Sequence, residues 1–341
     1  MNASQAGNLW LIVYDSSSLS NKMTPSIYFI VPCYNEEENI ASSIEKLIEL
    51  IDAMGNAKLC DRNLSGVLLV DDGSNDSTWN FILDQSISDD RIKAIRLSRN
   101  KGHQAALIAG IENIISLADA TITIDADLQD DIKVCPDMLR LMQTGIDIVY
   151  GVRRDRKADD FIKRFFANSF YSISLALGIE IIHGHADFRL LSRKAMKELL
   201  RYKERVFFMR GIVPLLGYNS AMVYYDRIKR KAGTSKYPIA KSVSLAVDGI
   251  LSFSNAPLIL IPAIGTIGLL LSIAGIAWVG AQLILAKTVP GWASIMVFLM
   301  ISTSMQLIAL GIIGGYLGKL YSEVKRRPRF HVMEKIGLQN R

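Results

Sequence analysis

Cysteine is scarce in this chain of 341 residues: there are three, Cys33, Cys60 and Cys135. An odd number without metal-ligand spacing argues against a disulfide framework or a structural zinc site and fits reduced cytosolic thiols. Glycine-rich phosphate loops are missing too. No Gly-x-Gly-x-x-Gly follows the first β-rich run and no Gly-x-x-x-x-Gly-Lys-Ser/Thr occurs, so dehydrogenase and P-loop readings lose their main support. Charge is the third absence. From Gly249 to Ala286, and again from Thr288 to Gly318, there is no Asp, Glu, Lys or Arg. Each run exceeds the roughly 20 residues that cross a bilayer core as a helix.

Lys287 alone separates the two runs, so they predict a transmembrane hairpin with spans at about 258–286 and 292–317. Arg227, Lys229, Arg230, Lys231, Lys236 and Lys241 precede it, and Lys319, Lys325, Arg326, Arg327 and Arg329 follow it. Basic flanks around a nearly neutral link put both ends in the cytoplasm of a bacterial-type inner membrane. The net charge of +6 is concentrated beside apolar segments, which favours anionic headgroups and phosphates over nucleic acid as partners. Gly265, Gly268, Gly275, Gly311, Gly314 and Gly315 are spaced as small helix-contact residues and make a homo-oligomer the expectation. The first 23 residues carry no assignable pattern. Trp10 to Tyr14 is apolar but too short for a signal peptide, and no basic region precedes it.

Between Ser26 and Gly151, short β-rich runs alternate with helical patterns. Strands are expected at 27–31, 67–70, 92–97, 120–124 and 146–150, and helices at 37–54, 77–86, 103–116 and 132–144. That alternation predicts right-handed βαβ units and a mostly parallel sheet, with ligands at the carboxyl ends of the strands. The polar motifs stand where that rule requires. Pro32-Cys-Tyr-Asn-Glu-Glu-Glu follows the first strand, Asp71-Asp-Gly-Ser the second, Ser98-Arg-Asn-Lys-Gly102 the third and Asp125-Ala-Asp-Leu-Gln-Asp the fourth.

The fourth motif carries the most chemistry. Residues i and i+2 of an extended segment point to the same side, so Asp125 and Asp127 can face one ion. Mg²⁺ is usually held by one or two carboxylates plus substrate phosphates, so two are enough. A plain turn with Asx hydrogen bonds is the alternative on spacing alone.

Taken together, Val31-Pro-x-Tyr-Asn-Glu-Glu, Val70-Asp-Asp-Gly-Ser, Asn100-x-Gly and Asp125-Ala-Asp-Leu-Gln-Asp resemble glycosyltransferase family 2. Gly151-Val-Arg-Arg, Asp187-Phe-Arg-Leu-Leu-Ser-Arg and Arg230-Lys-Ala-Gly-Thr-Ser-Lys-Tyr-Pro, followed by the apolar hairpin, are similar to its polyprenyl-phosphate glycosyltransferases, the bactoprenol glucosyltransferase and dolichyl-phosphate mannose synthase group. The likeness runs from about Ile27 to about Arg329.

The resemblance implies a GT-A, Rossmann-like domain that moves a hexose from a nucleotide sugar, UDP-glucose as the first expectation, onto polyprenyl phosphate with inversion. It implies Mg²⁺ or Mn²⁺ held by Asp125, Asp127 and Gln129. Pro32, Tyr34, Glu36, Asp71, Asp72, Lys101, Asp125, Arg230 and Lys236 would surround the nucleotide sugar. Arg153, Arg164, Ser235 and Lys236 would take the acceptor phosphate, and Asp125, Asp127, Asp187 and Arg153 would be catalytic. This chain reads His185-Ala186-Asp187-Phe188-Arg189 where relatives commonly read Gly-Asp-Phe-Arg, and Asp187 is kept as a candidate.

The expected organisation is an unassigned segment at 1–25, a cytosolic GT-A domain at 26–238, a juxtamembrane interfacial helix at 239–256, two spans within 257–318 and a basic cytoplasmic tail at 319–341. A second interfacial helix is expected at 161–175. Two other readings stay open: a processive polysaccharide synthase, disfavoured because Gln-x-x-Arg-Trp is absent, and an inactive membrane scaffold with a retained GT-A fold.

Overall fold

A computed structural model describes residues 24–154, 185–204, 207–226, 256–284 and 291–338. Expected elements on 161–175 and 239–255 lie outside these residues, as do Arg164, Arg230, Ser235 and Lys236.

Five of the strands are those anticipated: β1 (Ile27–Cys33), β2 (Gly66–Asp71), β3 (Ile92–Leu97), β4 (Ala120–Thr123) and β5 (Ile148–Arg153). Every residue of β1, β2 and β4 is buried, as expected of central strands covered on both faces. The first four helices are α1 (Ile40–Asn56), α2 (Thr78–Ser88), α3 (His103–Ile114) and α4 (Cys135–Gln143). In α1, Ile40, Ile44, Leu47, Ile51 and Met54 recur at helical spacing and are buried, each side chain contributing roughly 1.5–3 kcal/mol. Helix α3 is buried nearly all round, from Ala106 to Ile111, and packs on β1 and β2.

The sheet has eight strands in the order β7-β5-β6-β4-β1-β2-β3-β8. Three of them were not anticipated: β6 (His185–Ser192), β7 (Ser220–Tyr225) and β8 (Val332–Ile336). The β1–β2, β1–β4, β2–β3 and β5–β7 pairs are parallel, whereas β6 runs antiparallel to both β4 and β5, and β8 antiparallel to β3. The sheet is therefore mixed, with four of its seven pairs parallel, because β6 inserts between two strands of the βαβ series. Short helices α5 (Arg193–Leu199) and α6 (Met209–Leu215) follow β6 and cover one face with α3.

Two long helices, α7 (Ala256–Ile284) and α8 (Trp292–Val324), match the expected hairpin. At 29 and 33 residues they are about 44 and 50 Å long. Within α8, Ile301–Val324 is long and apolar enough to cross a membrane, with mean hydropathy 1.4 and none of the window buried. Leu270, Leu271, Trp278, Leu299 and Leu307 are exposed on these helices, an apolar surface without cover among the described residues.

The stretch expected as a basic tail is instead partly structured. Helix α8 runs past Lys319 and stops where Arg326 turns left-handed at φ +47°, just before Pro328. The chain then rejoins the catalytic sheet as β8. The Arg329 guanidinium donates to the Tyr202 carbonyl and lies 4.9 Å from the Phe207 ring centroid. The Ser98 N–H donates to the His331 carbonyl at 2.9 Å, and Lys93 Nζ to that of Gly337 at 2.7 Å.

Candidate active site

The carboxyl ends of β1 to β4 meet along one edge of the sheet, and their loops are stitched together by side chains. Asn35, held at φ +54°, takes the Asn75 N–H on Oδ1 at 3.0 Å, while its own N–H donates to Ser74 Oγ at 3.0 Å. The Glu36 N–H donates to Thr78 Oγ1 at 2.9 Å. Between these loops and the end of β3 lies a cleft of about 330 Å³, lined by Tyr34, residues 73–75, residues 96–100 and Met333. Gly73 permits the close approach: its φ is +71°, and a Cβ there would stand 2.7 Å from the Arg99 carbonyl carbon. Gly73→Ala is expected to cost at least about 1–2 kcal/mol, read by thermal unfolding, and to weaken whatever binds the cleft.

Two aspartates fix this region. Asp71, fully buried, accepts the Ser74 N–H on Oδ1 at 3.1 Å, and its Oδ2 stands 3.4 Å from Arg96 Nε without a hydrogen-bond partner among the described residues. Burial raises its pKa, opposed by the Ser74 hydrogen bonds and the Arg96 charge. Asp72 accepts the N–H groups of Lys101 and Gly102, both at 2.7 Å, and so pins the turn that starts α3.

At the end of β4, Leu128 adopts φ +43° and closes a turn onto the Asp125 carbonyl at 3.1 Å. The Asp127 carboxylate accepts Gln129 Nε2 at 2.7 Å. The Asp125 side chain is 46% exposed at the mouth of the site. Desolvation raises its pKa, as do Asp130, Asp187 and Asp127, against the opposing pull of His103.

Behind this pair lies a layer of ion pairs. Asp187 receives Arg189 Nη2 at 2.9 Å, Arg210 Nη2 at 3.0 Å and Gln104 Nε2 at 3.3 Å. His103 Nε2 stands 3.5 Å from Asp187 and 3.6 Å from Asp125, bridging the two carboxylates. Burial alone would raise the Asp187 pKa, but Arg210, His103 and Arg189 outweigh it and hold it well below the usual carboxylate range. Burial disfavours the His103 cation, yet the hydrogen bond to Asp187 and the Asp125 charge keep its pKa raised. Beside them, Asp130 Oδ1 accepts Arg153 Nη2 at 2.9 Å and the Tyr225 hydroxyl at 2.7 Å.

The sequence profile of glycosyl transferase family 2 matches residues 28–200. Glycosyltransferase YkoT of Bacillus subtilis is 44% identical over 310 residues, 90% of this chain and 91% of its own. The chain belongs to glycosyl transferase family 2. Bactoprenol glucosyl transferase of Shigella phage SfII is 34% identical over 306 residues, 89% of this chain and 96% of its own. Among solved structures, mannosyltransferase PcManGT from Pyrobaculum calidifontis covers 86% of this chain and 87% of its own at 17% identity and a TM-score of 0.42.

The protein is thus a family 2 glycosyltransferase with a GT-A-like mixed sheet, and its expected site residues can be placed. Tyr34 lines the cleft, Asp71 underlies it, and Pro32 is buried in β1, one residue before its end. Asp72 and the Lys101 backbone bond to each other, which holds the loop. Glu36 stands apart from the cleft. It lines a neighbouring cavity of about 420 Å³ with residues 35–39, Asn75 and Asp76, and its carboxylate accepts Asn39 Nδ2 at 2.9 Å. Gln129, expected as a metal ligand, is buried and donates through Nε2 to the Asp127 carboxylate. Arg153, expected on the acceptor phosphate, already holds Asp130 and Tyr225 through Nε and Nη2. Ala186 sits within β6, where extended backbone makes no demand for glycine.

Sequence reasoning left out His103, Gln104, Arg210 and Tyr225 and gave Asp130 no role. His103 had a visible signal: it opens α3 directly after the Asn100-Lys-Gly102 motif. Arg210 and Tyr225 had none, since packing brings them to Asp187 and Asp130 from distant sequence. Tyr225→Phe is expected to lower stability by about 1.5–3 kcal/mol in thermal unfolding, because it removes a buried hydrogen bond to a charged acceptor.

Among the described residues no three His, Cys, Asp or Glu side chains converge as a metal cage. The donor set nevertheless fits a hard divalent cation. Asp125 and Asp127 offer oxygen only, stand partly exposed, and leave positions that the phosphates of a substrate can fill.

Proposed function

We propose that this glycosyltransferase moves glucose from UDP-glucose to a polyprenyl phosphate, undecaprenyl phosphate in a bacterial membrane, with inversion at the anomeric carbon. The observation that carries the reading is the likeness to bactoprenol glucosyl transferase, which spans the catalytic sheet and the helical hairpin together. Asp71 Oδ2, ion-paired with Arg96 but accepting no hydrogen bond among the described residues, supports an imide base such as uracil, whose N–H it would accept.

Asp125 and Asp127 would hold Mg²⁺ or Mn²⁺, with Gln129 fixing the orientation of Asp127. The cation, when bound, neutralises charge on the nucleoside diphosphate leaving group. A polyprenyl phosphate is already an anion at neutral pH, so it needs no strong base, and positioning and charge compensation supply most of the rate. Asp187, kept ionised by its arginines, accepts hydrogen bonds and does not serve as a proton donor. Its place is to orient the acceptor or a sugar hydroxyl through His103 and Arg210. Arg153, steadied by Asp130, is available to the acceptor phosphate through Nη1, together with Arg164, Arg230, Ser235 and Lys236.

Connectivity supports one membrane arrangement. The chain leaves the sheet at β7 and re-enters it at β8, so with α7 and α8 as the spans the bilayer would be crossed an even number of times. The sheet and both helix ends would then lie on one side, which the basic flanks make the cytoplasm.

The test is acceptor-dependent release of UDP. Purified protein with Mn²⁺ is offered UDP-glucose, UDP-galactose, GDP-mannose and UDP-N-acetylglucosamine, each with undecaprenyl phosphate or undecaprenol. Release from UDP-glucose that requires the phosphate supports the proposal. Equal release without acceptor, or with undecaprenol, would refute the acceptor assignment.

A further inference from the structure

Strand β8 enters the sheet with a flaw that carries information. Along its ladder Ile95 faces Lys335 and Arg96 faces Glu334, but Leu97 faces Val332, so Met333 is the extra residue of a β-bulge. Bulges re-aim side chains and gather beside active sites. Met333 is accordingly turned to the cleft at the ends of β1, β2 and β3, where it is 69% exposed. Tyr34, 42% exposed, lies in the same lining, and these two are its exposed apolar side chains. The remainder is loop backbone and polar groups, apart from Leu97, which is buried. The bulge is held on both sides, by the Ser98 to His331 hydrogen bond before it and the Lys93 to Gly337 bond after it.

We propose that Met333 is a base-contacting residue of the donor pocket, so that the strand arriving from the hairpin completes the nucleotide site. The inference rests on the nucleotide-sugar reading above. An aromatic ring and a polarisable thioether flanking a cleft suit the flat face of a nucleobase, which neither loop alone would cover. The second long helix and the donor pocket then share one stretch of chain: Val324 ends α8, and Met333 reaches the cleft within the next ten residues.

Full-length protein in detergent, with Mn²⁺, is titrated calorimetrically with UDP, GDP and UMP, and donor KM and kcat are measured alongside. Met333→Ala is expected to weaken binding of the preferred nucleoside diphosphate about 3- to 10-fold, with donor KM raised similarly and kcat unchanged. UMP should lose the same factor as UDP, since the contact is with the base. Met333→Leu should restore affinity to within about twofold, and Met333→Glu should weaken it at least as much as alanine does. Wild-type affinity in both the Ala and Glu variants overturns the inference, as does a fall in kcat with KM unchanged. If the wild-type protein binds none of these nucleotides, the nucleotide-sugar reading itself falls and takes this inference with it.

Discussion

Asp127→Ala is expected to lower glycosyl transfer by about 10²–10³-fold or more while the protein stays folded. Removing one pre-organised charge-stabilising group from an active site costs roughly 3–4 kcal/mol of transition-state stabilisation, which sets that scale. Here the group would hold a divalent cation on a departing diphosphate, so the loss should stand at the upper end. The fold should survive because Asp127 sits on the loop after β4, partly exposed, and its carboxylate pairs with Gln129 only two residues along. Asp127→Asn separates charge from shape and should lose nearly as much activity. Gln129→Ala should cost about 10–100-fold through misorientation of Asp127. Steady-state transfer at saturating donor, with circular dichroism on each variant, makes the comparison. Full activity in Asp127→Ala would refute the metal assignment.

The second large effect is expected on stability. Asp187→Ala removes the carboxylate that compensates Arg189, whose side chain is fully buried, and that also gathers Arg210, Gln104 and His103. Breaking a buried pair by deleting one partner costs about 3–5 kcal/mol, since the other charge is left uncompensated. For a domain of this size that is a fall of roughly 6–20 °C in Tm. Transfer should fall as well, because β6, α3 and α6 meet at this carboxylate. The pH dependence has a definite sign. The Asp187 pKa is depressed in the folded protein, so its contribution is complete above the unfolded-state value near 3.9 and is lost as pH falls through the lower folded value. Asp187→Asn should therefore be less stable at neutral pH and lose less on acidification than the wild type. An unchanged Tm in Asp187→Ala would contradict the described ion cluster.

Much of the first half of the fold was legible because its signals are local. The buried strands β1, β2 and β4 are short apolar runs, α1 repeats Ile40, Ile44, Leu47 and Ile51 on one face, and each strand ends in a polar motif. The strands that escaped are those whose partners lie far along the chain. Val332–Ile336 carries Glu334 and Lys335 in a basic context and reads as a tail, yet it is a strand because β3 offers it an open edge more than 230 residues earlier. Ser220–Tyr225, with a half-exposed face, is fixed in the same way by β5.

The site divides along similar lines. The places of Asp125, Asp127 and Asp71 at strand ends were legible because each follows a short apolar run. The supporting residues were not, because Asp130 acquires its role only when Tyr225 and Arg153 close around it, and Arg210 reaches Asp187 only through packing. Glu36, whose place in a motif suggests a ligand contact, accepts from Asn39 and lines the cavity that shares Asn75 with the cleft.

The central claim is that a hexose passes from a nucleotide to a lipid phosphate. Its most direct test is to incubate the full-length protein with Mn²⁺, UDP-[¹⁴C]glucose and undecaprenyl phosphate, and to count the label extracted into organic solvent. The account predicts label in a mild-acid-labile lipid, formed only when donor, acceptor and cation are all present and absent with Asp127→Ala. No lipid-borne label from this or any other nucleotide sugar would contradict it.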